Sequence, residues 1–237
     1  MQRADWTRLA NGVAAFVLFI GIGAAMCRSR GSTAPRLTDS EHRLAGIVEP
    51  LRDVSLAGDP RASLVMIEYA DFTCAHCSRF AQAVLPEIRQ RYVASGKLLF
   101  GFRPWVLRGE SDALGLGAAA AATCAGRQGH FWDMHDRLFW SETQLDRAGI
   151  LALGAGLGLD RVAMESCLRS PLLDVFRATA ARAAGLGFQG TPSFLVGLHD
   201  GDTVRVIQTM TGDQSVGDLS VLLDRLLARR PDRQGQQ

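Results

Sequence analysis

The stretch "EYADFTCAHCSRF", Glu68 to Phe80, decides how the chain reads. It follows a nearly all-apolar run, "SLVMIEY" (Ser63 to Tyr69), of the kind expected of a central strand buried on both faces, and it opens an apolar pattern extending to about Ala94 that predicts a helix. Cys74 and Cys77, at i and i+3, then share one face of the helix's first turn at a separation that suits a disulfide. The position also makes the two thiols unequal. Cys74 meets the unpaired amides and the positive end of the helix dipole, both of which favour a thiolate, whereas Cys77 is expected to be more buried and less acidic.

His76, between the cysteines, offers an imidazole beside the first thiol. Stabilising the thiolate stabilises the reduced form and makes the disulfide a stronger oxidant, by about 30 mV for each pKa unit of roughly 1.4 kcal/mol. Glu68, six residues before Cys74, is an acid in an apolar strand. It is either satisfied locally or serves as proton acceptor for Cys77, with its pKa raised by burial. Thr191 and Pro192, in "GTPSF", put a proline at the start of another strand, a candidate for a cis bond.

Competing chemistries fit less well. A zinc site needs four ligands, of which the pair supplies two; His130 and His135 in "HFWDMH" are five apart, off a common helical face. No metal site is therefore expected, and no cofactor is called for. Haem attachment would want histidine after the second cysteine, where Ser78 stands. A purely structural disulfide across so short a loop would remove little unfolded-state entropy.

Outward from this stretch, the chain of 237 residues is 47% apolar, enough for one ample domain with an insertion. Its basic side is almost all arginine, with Lys97 the single lysine, and the body is near neutral once Arg3, Arg8, Arg28 and Arg30 are set aside. No basic footprint for nucleic acid remains. Leu9 to Cys27 carries no charge and is flanked by arginines, which reads as an uncleaved membrane anchor or, alternatively, a cleaved signal. Either places the rest outside the cytosol, where disulfides persist.

Residues 1–27 are thus expected to be an anchor or signal segment, 28–55 a tether and short helix (placed within Glu41 to Val54), 56–230 the folded domain and 231–237 a polar tail. A kink is expected at Pro86, inside the first helix. "KLLFGF" (Lys97 to Phe102) predicts a second strand and completes a βαβ unit. A helical insertion occupies about 105–188, two strands follow, joined by "LHDGD", and Gln214 to Arg230 is a final amphipathic helix.

Together these residues resemble the DsbA-like thiol:disulfide oxidoreductases of the thioredoxin-fold superfamily. The likeness runs from about Leu56 to Leu227, with Gly58–Asp59–Pro60, Glu68, Asp71, Cys74, Cys77, "CAGRQGHFWDMHDRLF" and "GTPSF" in order. It implies an α/β thioredoxin fold (β-α-β, helical insertion, β-β-α) behind an N-terminal transmembrane or signal helix, with Pro192 cis and facing Cys74. It implies that substrate thiolate attacks Cys74, that Cys77 or the substrate's second thiol resolves the mixed disulfide, and that the Thr191 backbone docks an extended substrate.

The insertion would form a lid, with Phe131, Trp132, Phe139 and Trp140 read as core rather than peptide groove. Cys124 and Cys167, one in each of two helical segments of the insertion, read as a second, structural disulfide, the alternative being two buried thiols. The implied partners are thiol-containing exported proteins and a membrane quinone-coupled thiol oxidase, or else a transmembrane thiol donor if the chain is a reductase or isomerase, for example in cytochrome maturation. A non-catalytic binding module is the reading from outside enzymology. Ala75, where the best-known oxidants carry proline, leaves the direction of electron flow open.

Overall fold

The computed structural model describes Leu44, residues 46–140 and residues 145–229. The expected anchor or signal at 9–27, most of the tether and the polar tail lie outside the described residues. Among the described residues no helix is long and apolar enough to cross a membrane.

Six strands form one mixed sheet: β1 (Val48–Pro50), β2 (Ser55–Ala57), β3 (Leu64–Ala70), β4 (Leu98–Pro104), β5 (Ser193–Asp200) and β6 (Thr203–Thr211), in spatial order β1-β6-β5-β3-β4-β2. β3 and β4 are parallel neighbours and every other pairing is antiparallel. The parallel pair needs a crossover, which α1 supplies through the consecutive segments Ala75–Arg79, Phe80–Val84, Leu85–Ile88 and Arg89–Val93. All residues of β3 are buried. Leu64 and Met66 belong to the apolar cluster beneath α1, while Val65, Ile67 and Tyr69 face a separate cluster on the opposite side. A strand covered on both faces has no use for alternation, hence the unbroken apolar run.

The irregularity expected at Pro86 is present as a π-helical segment, Phe80–Val84, directly upstream. Pro86 has no N–H to donate to the preceding turn, and the wider turn accommodates the missing bond.

Between β4 and β5 the chain is helical: α2 (Ala113–Gly126), α3 (Phe131–Trp140), α4 (Arg147–Gly156), α5 (Arg161–Leu168) and α6 (Leu173–Gly185). Asp112, Asp146 and Asp160 cap α2, α4 and α5 by accepting from the amides of Gly115, Gly149 and Ala163. Beyond the β5–β6 turn at Gly201 (φ 63°), α7 (Val216–Ala228) lays Leu219, Leu222, Leu223 and Leu226 into the cluster beneath α1. The arrangement is a mixed α/β, thioredoxin-like fold with a helical insertion.

The short helix expected within Glu41 to Val54 is corrected in its later part, where Val48–Pro50 is β1, one edge of the sheet; β2, just beyond that range, is the other edge. Pro50 would interrupt a helix there, and an edge strand tolerates its missing donor. Glu49 anchors the segment: its carboxylate pairs with the buried guanidinium of Arg103 and accepts from Tyr69 Oη at 3.0 Å. Arg103 also donates to the carbonyls of Pro50 and Arg52 at 2.8 and 3.1 Å. Three-residue strands are too short to carry a period, so the sequence pattern does not reveal them.

Of the four aromatics assigned to the core of the insertion, Phe131 and Phe139 are buried. Trp132 is partly buried and donates Nε1–H to the Leu56 carbonyl at 3.0 Å, tying α3 to the edge strand β2, and Trp140 is 47% exposed.

Candidate active site

The loop between β3 and α1 is shaped by Asp71. One carboxylate oxygen accepts from the Thr73 amide and hydroxyl at 2.9 and 2.7 Å, and the other accepts from the Leu107 amide at 2.9 Å. The turn delivers Cys74 to the N-cap of α1 in extended conformation (φ −86°, ψ 121°), half-buried, with Cys77 fully buried one turn later. Both are free thiols.

Their environments differ as the helix position predicts. The Cys74 thiol is pulled down to about 5. The Cys77 thiol hydrogen-bonded to its sulfur is the main cause, working against burial, with Thr191 and the backbone amides of Cys77 and His76 adding to it. The Cys77 thiol is pushed far up by burial, then by its bond to Cys74 and by the charge of Glu68.

The far side of the site comes from the start of β5. The Thr191–Pro192 peptide is cis, and Cys74 Sγ lies 3.4 Å from the Thr191 carbonyl oxygen. The Thr191 hydroxyl is buried and has no hydrogen-bond partner. Ser193 holds the segment in place by donating to the Gly190 carbonyl at 2.6 Å, and Gly212 N–H donates to the Pro192 carbonyl at 2.8 Å.

Glu68 is fully buried beneath the pair, both carboxylate oxygens without a hydrogen-bond partner. Burial holds its pKa well above the usual carboxylate range, the charge of Arg89 pulls it back, and the charge of Cys74 raises it further. Its register neighbours on β4 and β5 are Phe102 and Phe194, neither of which offers a hydrogen bond.

His76 is placed differently from the rest. Its ring is exposed, with Nδ1 2.8 Å from Asp213 Oδ2, and Arg79 donates to the same oxygen at 3.0 Å. What His76 gives Cys74 directly is its backbone N–H. Cys124 and Cys167 are bonded to each other across α2 and α5, in the insertion. The fold thus brings Cys74, Cys77, Thr191, Pro192 and Glu68 together, sets His76 on the rim, and leaves the second cysteine pair apart. Sequence reasoning did not single out Arg89 or Asp213; each is one of many surface-type residues until the fold sets it beside Glu68 or His76.

A family model described as thioredoxin matches residues 52–211. The chain belongs to the thioredoxin family. Within that family the likeness is to DsbA-type members. The solved structure of alpha-DsbA1 from Wolbachia pipientis is 27% identical, superposes with a TM-score of 0.65, and is matched over 80% of this chain and 96% of its own. A Rickettsia conorii protein, named provisionally as a protein-disulfide oxidoreductase, is 23% identical over 183 residues, which are 74% of this chain and 61% of that protein. A protein of Mycobacterium sp. (strain KMS) named Na(+)/H(+) antiporter NhaA 1 is 31% identical over 152 residues, 63% of this chain and 24% of that protein. The thioredoxin-family chain therefore spans about three fifths, or less, of the length of these curated relatives.

Proposed function

We propose that the chain is a protein-disulfide oxidoreductase that oxidises cysteine pairs in exported proteins through Cys74 and Cys77. The observation that carries this reading is the inequality of the two thiols: one held near 5 at a helix N-terminus, the other buried and held protonated. Such a pair has one sulfur that is attacked and leaves readily, and a second that is released only together with a proton.

A substrate thiolate attacks Cys74 Sγ of the Cys74–Cys77 disulfide, the Cys74–Cys77 bond breaks, and Cys77 leaves as a thiolate that takes a proton from Glu68. The substrate's second thiolate attacks the substrate sulfur of the mixed disulfide, its new bond forms, and Cys74 leaves as the stabilised thiolate. Two electrons have passed from substrate dithiol to the cysteine pair. Run backwards, Cys77 gives its proton to the Glu68 carboxylate and resolves the mixed disulfide. The Thr191 backbone offers the docking edge beside Pro192, and His76 contributes its backbone N–H to the Cys74 anion. Cys124–Cys167 serves stability alone.

The charge-free segment Leu9 to Cys27 supports export, with this segment as an inner-membrane tether or as a cleaved signal, and a membrane thiol oxidase coupled to quinone as the partner that regenerates the disulfide.

The test is Cys77→Ser, which removes the resolving thiol and is expected to accumulate substrates covalently bound to Cys74, seen as reducible adducts on denaturing gels. Their absence would leave the cysteines without an exchange role. Alkylation of the chain in its native compartment tests direction: a mainly oxidised pair is expected, and a mainly reduced one would make it a reductase or isomerase fed by a thiol donor.

A further inference from the structure

The buried acid feels one positive charge that the exchange steps leave unused. Arg89, on the last segment of α1, is anchored through Nη1 to both oxygens of Asp136, at 3.2 and 3.0 Å. Asp136 is held from the other side by His135, whose ring is fully buried and whose Nδ1 lies 2.8 Å from Asp136 Oδ1. The guanidinium lies over the Trp132 ring at 4.7 Å. With Nη1 tied to Asp136, Arg89 Nη2 is left buried and without a hydrogen-bond partner.

The same side chains lead to Glu68. Trp132 packs on Phe100 and Phe102, His135 meets Phe102 edge-on at 4.7 Å, and Phe102 is the register neighbour of Glu68. A buried guanidinium edge and a buried carboxyl, both unpartnered, thus flank one aromatic cluster. A half-buried carboxylate fixes the guanidinium from outside, and a histidine fixes that carboxylate.

We propose that Arg89, oriented by Asp136 and His135, is a positioning residue that sets the pH at which Glu68 gives up or takes the proton of Cys77. It rests on the reading of Glu68 as that proton's carrier. The groups facing Glu68 are Cys74, Cys77 and Arg89 from α1, uncharged Phe102 and Phe194 from β4 and β5, and, one step out on α3, His135 and Asp136. Burial holds His135 toward its neutral form, so Arg89 is the one cation of the set at neutral pH. A fixed positive charge favours the Glu68 carboxylate, and its removal moves every Glu68-dependent step to higher pH.

The experiment follows, against pH, the rate at which Cys77 resolves a glutathione mixed disulfide on Cys74, in the full chain and in Arg89→Gln, Arg89→Lys, Asp136→Asn, Glu68→Gln and Glu68→Gln/Arg89→Gln. Arg89→Gln is expected to move the rising limb up by about one pH unit, close to a tenfold slowing at a fixed pH on that limb. Arg89→Lys, which keeps the charge and loses the fork, and Asp136→Asn are expected to move it less, in the same direction. In the Glu68→Gln background the Arg89 change is expected to do nothing. A limb that responds to Glu68→Gln but not to Arg89→Gln overturns the Arg89 proposal alone, as does an Arg89 effect that persists without Glu68. A limb indifferent to Glu68→Gln overturns the proton-carrier reading together with it. Carbon-13 NMR titration of the Glu68 carboxyl, which needs no turnover, is expected to show the same upward move in Arg89→Gln; an unmoved carboxyl overturns the proposal even where that variant resolves slowly for want of stability.

Discussion

Cys74 Sγ lies 3.4 Å from the Thr191 carbonyl oxygen, 117 residues further along the chain. The contact joins the two halves of the site, the N-terminus of α1 and the start of β5. Separately from this carbonyl contact, the Thr191 side chain favours the Cys74 anion, its buried hydroxyl having no hydrogen-bond partner of its own. Thr191→Val removes the hydroxyl and keeps the shape and the backbone. It is expected to raise the Cys74 pKa by about one pH unit and to lower the reduction potential by about 30 mV. Ultraviolet thiolate titration and glutathione redox equilibration measure the two, and they should move together; a potential that falls with an unmoved titration would mean that Thr191 acts on the disulfide instead.

The pair also makes stability depend on pH in one redox state only. The folded Cys74 pKa, about 5, lies below the ordinary cysteine value of 9.0 expected in the unfolded chain. A depressed pKa contributes stability that is present in full above the unfolded value and is lost as pH falls through the folded one. In the oxidised protein Cys74 does not titrate. The melting temperature of the reduced protein minus that of the oxidised protein should therefore rise from pH 5 towards pH 9. Thermal melts of both forms across this window measure it, and a flat difference would contradict the assigned thiolate.

Cys124 and Cys167 close a loop of sequence separation 43 between two helices of the insertion. By chain entropy such a link stabilises by about 4 kcal/mol. Cys124→Ala/Cys167→Ala is expected to lose about that much in denaturant titration while the Cys74 alkylation midpoint stays where it was. A shifted midpoint would show that the insertion's link reaches the redox site.

How much of this was legible beforehand follows from the range of the interactions. β3, α1 and the inequality of Cys74 and Cys77 are local: an apolar run, a helical period and a helix end suffice. β5 and β6 announce themselves through their β-rich runs and the turn at Gly201. The interactions spanning the fold had no such signal. Glu49 and Arg103 are 54 residues apart and form a buried pair that explains why a proline-containing segment becomes a sheet edge. Arg89, at the end of α1, reads as a surface residue until α3 supplies Asp136. The spacing in "HFWDMH" says only that its two histidines are off a common helical face; that His135 is enclosed by Phe72, Phe102, Phe131, Trp132 and Phe139 depends on the fold.

His76 is where sequence and geometry part most clearly. From spacing alone its imidazole belongs beside the first thiol, whereas the ring is held 2.8 Å from Asp213, 137 residues away, on the loop after β6. Asp213 is correspondingly held below the usual carboxylate range by His76 first and Arg79 second. The direct support for the Cys74 anion is the His76 backbone N–H, which any residue except proline provides. His76→Ala is therefore expected to move the Cys74 alkylation midpoint by less than about half a pH unit, a smaller change than Thr191→Val produces. Asp213→Asn removes the anion beside the ring and leaves Arg79, whose Nη2 lies 2.6 Å from His76 Nδ1, as the ring's remaining neighbour. If the imidazole then swings towards the thiol, the midpoint falls further in Asp213→Asn but not in Asp213→Asn/His76→Ala. A large rise in His76→Ala alone would mean that the ring reaches Cys74 in solution and that the Asp213 contact is the minor arrangement.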